Sequence, residues 1–281
     1  MTYLRKPEWL KNKIYSEKEF GHVNQVIKQH GLNTICTSGR CPNQSECWSK
    51  GTATLMILGD ICTRSCKFCN TLSGRPLPPD FDEPQKVAES IKLMKLRHAV
   101  ITSVDRDDLK DGGATLWGQT IKAIKDLNPN TTLEVLIPDF DGKTELLDLI
   151  IAEKPDVISH NLETVRSLTH TIRTKAEYDT SLSVLKYISS KGLVAKTGIM
   201  LGLGETEDEI LQLMDDALEN GCTVLTIGQY MQPSRKNIVV SSYIAPEKFA
   251  EYKQIGLKKG FRIVESGPFV RSSYHAENHI L

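Results

Sequence analysis

The stretch Leu55-Met56-Ile57-Leu58-Gly59-Asp60-Ile61-Cys62-Thr63-Arg64-Ser65-Cys66-Lys67-Phe68-Cys69 decides the fold: an apolar run leads into three cysteines spaced CxxxCxxC. The run Thr54–Leu58 reads as a buried strand, which puts the cysteines on the loop that follows it. Three thiolates on one loop can hold three irons of a four-iron, four-sulfur cube and leave the fourth iron open to a small molecule. Clusters that only carry electrons generally use four cysteines, so a triplet points to chemistry at the cluster. A structural zinc site also takes four ligands, commonly from two CxxC-type pairs, and this triplet lacks that form.

Upstream, residues 8–30 carry a predicted helix with Phe20, Val23, Val26 and Ile27 at helical spacing, ended by Gly31. A second triplet follows, Cys36, Cys41 and Cys47, spaced CxxxxCxxxxxC. Gly39, Pro42 and Asn43 mark its segment as turns, which lets the backbone fold around a compact metal centre. A zinc knuckle with a distant fourth ligand fits that spacing as well, because both metals accept thiolates. Cys222 stands apart at the start of an apolar strand and reads as a buried structural thiol.

Downstream the chain alternates. Strands are predicted at 54–58, 99–103, 132–137, 156–159, 194–200 and 223–230. Helices are predicted at 84–96, 114–127, 144–153, 178–191, 207–220 and 246–259. Six strand–helix units imply an α/β chain with a parallel sheet and right-handed crossovers, either an open sheet or a partial barrel. Functional residues should then collect after the strands. The residues there are suggestive: Asp105-Arg106-Asp107-Asp108 and Asp111-Gly112-Gly113, Pro138-Asp139-Phe140, His160 to Thr164, Gly202 to Thr206, and Gln229 to Pro233. The tail from Glu265 to Ala276 is dense in polar residues and reads as a segment folded back over something.

Composition limits the function classes. Of the 281 residues, 40% are hydrophobic and 25% charged, as in an ordinary globular protein. Thirty-five basic residues balance thirty-five acidic ones, which argues against nucleic-acid binding driven by bulk charge. No apolar run approaches the roughly 20 residues of a membrane span, and the first residues lack the apolar core of a signal peptide. A cytoplasmic location is expected, where seven cysteines serve better as ligands than as disulfides.

The CxxxCxxC triplet with Phe68 before its last cysteine resembles the cluster loop of radical S-adenosylmethionine (SAM) enzymes, whose partial (β/α)6, TIM-like barrel agrees with the unit count. Four further stretches narrow the likeness to the lipoyl synthase family: the upstream triplet, Met56-Ile57-Leu58-Gly59-Asp60, Thr102 to Leu109, and the closing Val270-Arg271-Ser272-Ser273-Tyr274. The resemblance runs from about Trp9 to Ala276. It implies a barrel over 52–264, an N-terminal extension (1–51) with the auxiliary-cluster cysteines, and a C-terminal segment (265–281) closing over that cluster.

The resemblance also implies roles. Cys62, Cys66 and Cys69 would hold the radical-generating 4Fe-4S cluster, whose open iron binds SAM. Cys36, Cys41 and Cys47 would hold a second 4Fe-4S cluster, the sulfur source, with Ser273 as its fourth ligand and Ser272 as the alternative. An alkoxide is a hard ligand on a centre otherwise held by soft thiolates, which favours release of its iron. Asp111, Gly112, Gly113, Asn161, Glu163, Arg173, Gly202 and Glu205 are the candidate SAM contacts. The substrate implied is an octanoyl-lysine on a lipoyl carrier domain, from a 2-oxoacid dehydrogenase or a glycine-cleavage H-type protein, with sulfur added at carbons 6 and 8. A reductant such as flavodoxin or ferredoxin and an iron–sulfur carrier are the other implied partners; no nucleic acid or membrane is. Two stretches depart from the family pattern, Arg173-Thr174-Lys175-Ala176 and Ser234 to Ile238, and neither is expected to touch a cysteine. A radical SAM enzyme whose second cluster only transfers electrons, and a zinc-binding interaction module, stay open as alternatives. Under the family reading, Ser273→Cys should keep its cluster but slow turnover; full activity with unchanged iron content would remove the serine from the mechanism.

Overall fold

The computed structural model describes residues 4–11, 17–50 and 52–280. The chain divides into two compact units, the first Asn12–Arg64 with Asn70–Asp156, the second Met1–Lys11, Ser65–Cys69 and Val157–Leu281.

The first unit runs α1 (Glu17–Gln29), β1 (Asn33–Thr34), α2 (Ile35–Ser38), α3 (Gln44–Ser49), β2 (Thr54–Ile57), β3 (Ile61–Cys62), β4 (Leu72–Ser73), α4 (Glu83–Met94), β5 (His98–Ser103), α5 (Ala114–Leu127), β6 (Thr132–Leu136) and α6 (Thr144–Ile151). Its main strands lie in the order β1-β2-β5-β6. The β2–β5 and β5–β6 pairs are parallel, as predicted, with Thr54 opposite Val100 and Ile101 opposite Val135, whereas β1 runs antiparallel to β2. All four β2 residues are buried, which is why that strand reads as a continuous apolar run rather than an alternating one. Val87 and Ile91 of α4, and Ile121 and Ile124 of α5, form the inward stripes of helices that pack on each other.

Leu58 ends β2 one residue earlier than its apolar side chain suggests, because it adopts a left-handed conformation with φ 68°, a costly one for a branched residue. The buried Glu83, at the start of α4, accepts the Leu58 N–H at 2.7 Å and holds this turn. Burial pushes the Glu83 carboxyl up to about 7, against the pull of that hydrogen bond.

Around the upstream cysteines the turn residues are flanked by two short helices. Thr34 caps α2 by accepting the Thr37 N–H at 3.2 Å, so the predicted turn region is partly helical. Val23, Val26 and Ile27 are buried on α1, and Gly31 ends the helix with φ 62°. The single helix predicted over 8–30 appears as a 3-10 turn at Glu8–Leu10 and α1; residues 12–16 and the side chain of Phe20 lie outside the described residues.

The second unit comprises β7 (Val157–Ser159), α7 (Arg166–Ile172), α8 (Tyr178–Ser190), β8 (Val194–Leu201), α9 (Glu207–Glu219), β9 (Val224–Gln229), α10 (Pro246–Lys259) and β10 (Ile263–Gly267). Its strands lie in that order and pair in parallel, with Val157 opposite Val194, and Lys196 and Ile263 both opposite Val224. A capping box between Thr206 and Glu209 starts α9. Cys222 is buried, as its apolar context predicted. Three elements of this unit, α7, β10 and the closing 3-10 turn Ala276–His279, were not foreseen. α7 is only seven residues long, and β10 offers just Ile263 and Val264 before Glu265-Ser266-Gly267, too short an apolar run to announce a strand. The tail expected from Glu265 therefore begins inside β10. It then crosses the end of β9 so closely that a Cβ on Gly228 would lie 2.1 Å from the Val270 carbonyl oxygen. Among the described residues no helix is long and apolar enough to cross a membrane.

Because the fold raises the Glu83 pKa, it favours the protonated carboxyl, and the associated stability should be lost as pH rises from about 4.5 to about 7. The expected loss is roughly 3 kcal/mol. Denaturant unfolding of the chain and of Glu83→Gln across this range should show the slope in the former and its absence in the latter; parallel pH profiles would contradict the assignment.

Candidate functional site

In the first unit the cysteine loop is built around Arg64. Its side chain is buried and makes two forked ion pairs. Nη1 and Nη2 donate to the two oxygens of Asp139 at 2.7 and 2.8 Å, and Nε and Nη2 donate to those of Asp107 at 3.1 and 3.0 Å. Asp105 lies 3.3 Å away and the more exposed Asp141 3.8 Å. Burial works against the guanidinium charge, but the Asp139 and Asp107 hydrogen bonds outweigh it and hold Arg64 protonated. The carboxylates come from the loops after β5 and β6, so one cation ties both loops to the cysteine motif. Arg106 adds a second clamp, forking onto Asp108 and donating to the carbonyls of Leu58 and Leu77.

Cys62 sits at the end of β3. Its sulfur accepts the backbone N–H groups of Arg64 and Asp105, each at 3.4 Å, and its thiol lies 3.6 Å from the Asp105 carboxylate. Two N–H donors aimed at one sulfur favour the thiolate a metal needs. Burial raises the Asp105 pKa while Arg64 pulls it back. A cavity of about 240 Å³ opens beside this loop, lined by Arg64, Asp105, Asp107, Lys110, Phe140 and Lys143 among others.

The upstream triplet also lies in this unit. Cys36 is on α2, Cys41 in the turn with its N–H bonded to the Cys36 carbonyl at 2.9 Å, and Cys47 on α3. Burial pushes the Cys36 thiol up to about 11 and the Cys47 thiol up to about 12, and Cys41 adds to both shifts. The three sulfurs are thus within electrostatic reach of one another, and three adjacent thiolates need a cationic centre. Among the described residues no group of three or more His, Cys, Asp and Glu stands as a single metal ion would draw it.

Residues 65–69 belong to the second unit, where both polar groups of the Lys67 backbone are used. Its N–H donates to the Ile172 carbonyl at 2.9 Å, and its carbonyl accepts the Ile238 N–H at 3.0 Å. Phe68 packs against the buried Ile172, Leu203, Tyr230 and Val240. Of the two departures from the family pattern, Ser234 to Ile238 reaches a cysteine, contrary to expectation, whereas Arg173 to Ala176 meets Ser65. The Asn237 side-chain amide donates to the Cys69 carbonyl at 2.7 Å, and the hydroxyls of Ser65 and Thr174 are 3.3 Å apart. A separation of 168 residues hid the Asn237 contact.

The candidate SAM contacts are placed as follows. Asp111 accepts the N–H groups of Gly113 and Thr115 at 3.0 and 2.9 Å, bonds that hold its carboxyl below the usual range despite partial burial. Gly112 and Gly113 have φ 58° and 88°, and a Cβ on Gly113 would meet Leu58 at 2.6 Å, so only glycine fits this turn. In the second unit Asn161 donates to Glu163 at 3.0 Å and accepts from Ser272 at 3.1 Å. Burial raises the Glu163 pKa, opposed by Arg173 and Asn161. Arg173 is buried, donating to the Asn161 carbonyl at 3.1 Å and the Ser181 hydroxyl at 3.2 Å. Glu205 accepts the N–H groups of Gly202 and Leu203 at 2.6 and 2.9 Å. Gly202, with φ 95°, leaves a Cβ only 2.3 Å from Gln229 and from the Ser242 carbonyl. Ser273 is half-buried in the turn after β10. Sequence reasoning missed Arg64 and Asn237. Four aspartates in two neighbouring loops were a signal that a buried cation must balance them.

Residues 56–217 match the Radical SAM superfamily. The chain is 62% identical over 278 residues to the lipoyl synthase of Parabacteroides distasonis, covering 99% of each chain. It is 61% identical over 279 residues to that of Porphyromonas gingivalis, again covering 99% of each. Among solved structures it resembles methylornithine synthase with a TM-score of 0.57 at 11% identity, over 89% of this chain and 85% of that one. A maturase of the FeFe-hydrogenase matches with a TM-score of 0.58 at 12% identity, over 89% and 70%. The structural likeness shows the fold, that of radical SAM enzymes.

The Arg64 clamp makes a graded prediction. Asp139→Ala leaves a buried guanidinium short of a partner and should destabilise by about 3–5 kcal/mol in denaturant unfolding. Asp141→Ala removes a distant, exposed carboxylate and should cost less than about 1 kcal/mol. Equal losses would contradict the clamp.

Proposed function

The chain belongs to the radical SAM superfamily and within it to the lipoyl synthases, and from that membership we propose that each of its cysteine triplets holds a 4Fe-4S cluster, the second one serving as sulfur source. The observation that carries this reading is the presence of two spaced triplets in a chain 62% identical to a lipoyl synthase over 278 residues. The donor sets fit such groups: none of the six cysteines is in a disulfide, Cys62 already accepts two backbone N–H bonds, and the upstream sulfurs repel one another as anions. When bound, the first cluster supplies the electron that cleaves SAM to methionine and a 5′-deoxyadenosyl radical, able to take hydrogen from an unactivated methylene.

The residues of the chain have the following parts. Cys62, Cys66 and Cys69 bind the radical-generating cluster, and Arg64 with its aspartates fixes their loop. Cys36, Cys41 and Cys47 bind the auxiliary cluster, with Ser273 as fourth ligand. Asp111, Gly112 and Gly113 shape the turn that receives the methionine amino group, while Asn161, Glu163 and Arg173 orient the methionine or ribose. Gly202 and Glu205 build the rim beside adenine. Residues 1–51 and 265–281 supply the auxiliary site, and 52–264 the barrel.

The substrate in this reading is an octanoylated lipoyl domain, of a 2-oxoacid dehydrogenase or an H-type protein, sulfurated at carbons 6 and 8. A flavodoxin- or ferredoxin-like reductant delivers electrons, an iron–sulfur carrier rebuilds the spent cluster, and the cytoplasm keeps the thiols reduced. Anaerobically reconstituted protein given reductant, SAM and an octanoyl-lysine peptide should produce a peptide heavier by two sulfurs. Purified protein that takes up zinc but no iron, or an iron-loaded sample that leaves the peptide mass unchanged, would overturn the proposal.

A further inference from the structure

Lys196, on β8, is completely buried, and so is His279, in the final 3-10 turn Ala276–His279. The Lys196 Nζ lies 2.9 Å from the His279 Nδ1. The two nitrogens share a hydrogen bond whose donor is set by the protonation of the amine and the tautomer of the ring. The roles assigned above use neither residue, yet burying an amine is unfavourable unless partners compensate it.

The placement of this pair gives it a purpose. Lys196 and Gly198 point to the same face of β8, since side chains alternate along a strand. A Cβ on Gly198 would be 3.0 Å from the Asn161 Oδ1, the atom that accepts the Ser272 hydroxyl at 3.1 Å. The C-terminal segment therefore meets this region of β8 at two levels, through Ser272 by way of Asn161, and through His279 directly on Lys196. A third contact, Val270 over Gly228, fixes where the segment enters. Ser273 lies between the last two of these anchors in sequence.

We propose that Lys196 and His279 form a buried latch that holds the C-terminal segment on β8, and that both are positioning residues for Ser273. The second half rests on the reading of Ser273 as a cluster ligand. The latch itself is tested on metal-free protein by amide hydrogen exchange. Lys196→Met and His279→Leu should each speed exchange across residues 268–280 at least about tenfold, with α4 and α5 unchanged. His279→Asn keeps an acceptor and should restore protection. Unchanged exchange in both disrupting variants overturns the latch, and His279→Leu, near the chain end, decides it even if Lys196→Met does not fold.

In reconstituted protein the disrupting variants should still form 5′-deoxyadenosine at the normal rate, while sulfur inserted per SAM consumed falls at least about tenfold. Faster tail exchange with an unchanged ratio overturns the positioning role. A Ser273→Ala protein whose auxiliary-cluster Mössbauer spectrum equals that of the unmodified chain overturns the ligand reading, and the exchange result then decides the latch alone.

Discussion

A single buried guanidinium organises the cysteine loop. Arg64 stands inside the CxxxCxxC motif, two residues after Cys62, and is gripped by forked bonds from Asp107 and Asp139. The energetics are asymmetric: a satisfied buried pair contributes little net stability, but removing one partner is costly. The clamp therefore specifies position more than it stabilises. It fixes where the loops after β5 and β6 stand relative to Cys62, whose sulfur accepts one N–H from the cysteine loop, at Arg64, and one from the loop after β5, at Asp105. The left-handed turn at Leu58, held by Glu83 and Arg106, delivers the chain into that clamp.

The second unit treats its share of the motif differently. Lys67 is bonded on both sides by backbone, from Ile172 and Ile238, and Phe68 is set into an apolar cluster. Charge holds one part of the loop and backbone pairing with apolar packing the other.

Much of this was legible in the sequence, for identifiable reasons. The alternation of apolar runs with amphipathic stretches located all six strand–helix units within a few residues, because buried parallel strands and two-faced helices leave unlike patterns. The cysteine spacings were readable because ligands close in sequence are close in space. β10 and α7 escaped because each is too short to carry a period. Arg64 escaped because its four carboxylate neighbours are 41 to 77 residues away in the chain, and charge pairing at that range leaves no periodic trace. Asn237 escaped for the same reason, its contact with Cys69 spanning 168 residues.

The central claim is that the two triplets have unlike fates, Cys62, Cys66 and Cys69 serving every turnover while the centre on Cys36, Cys41 and Cys47 gives up its sulfur. The most direct measurement is to assemble the clusters with heavy-isotope sulfide, remove the excess, and run one turnover on an octanoyl-lysine peptide in buffer containing ordinary sulfide. The account predicts a product in which both inserted sulfurs are heavy, together with loss of one cluster per chain. A product carrying ordinary sulfur, with both clusters intact, would contradict it.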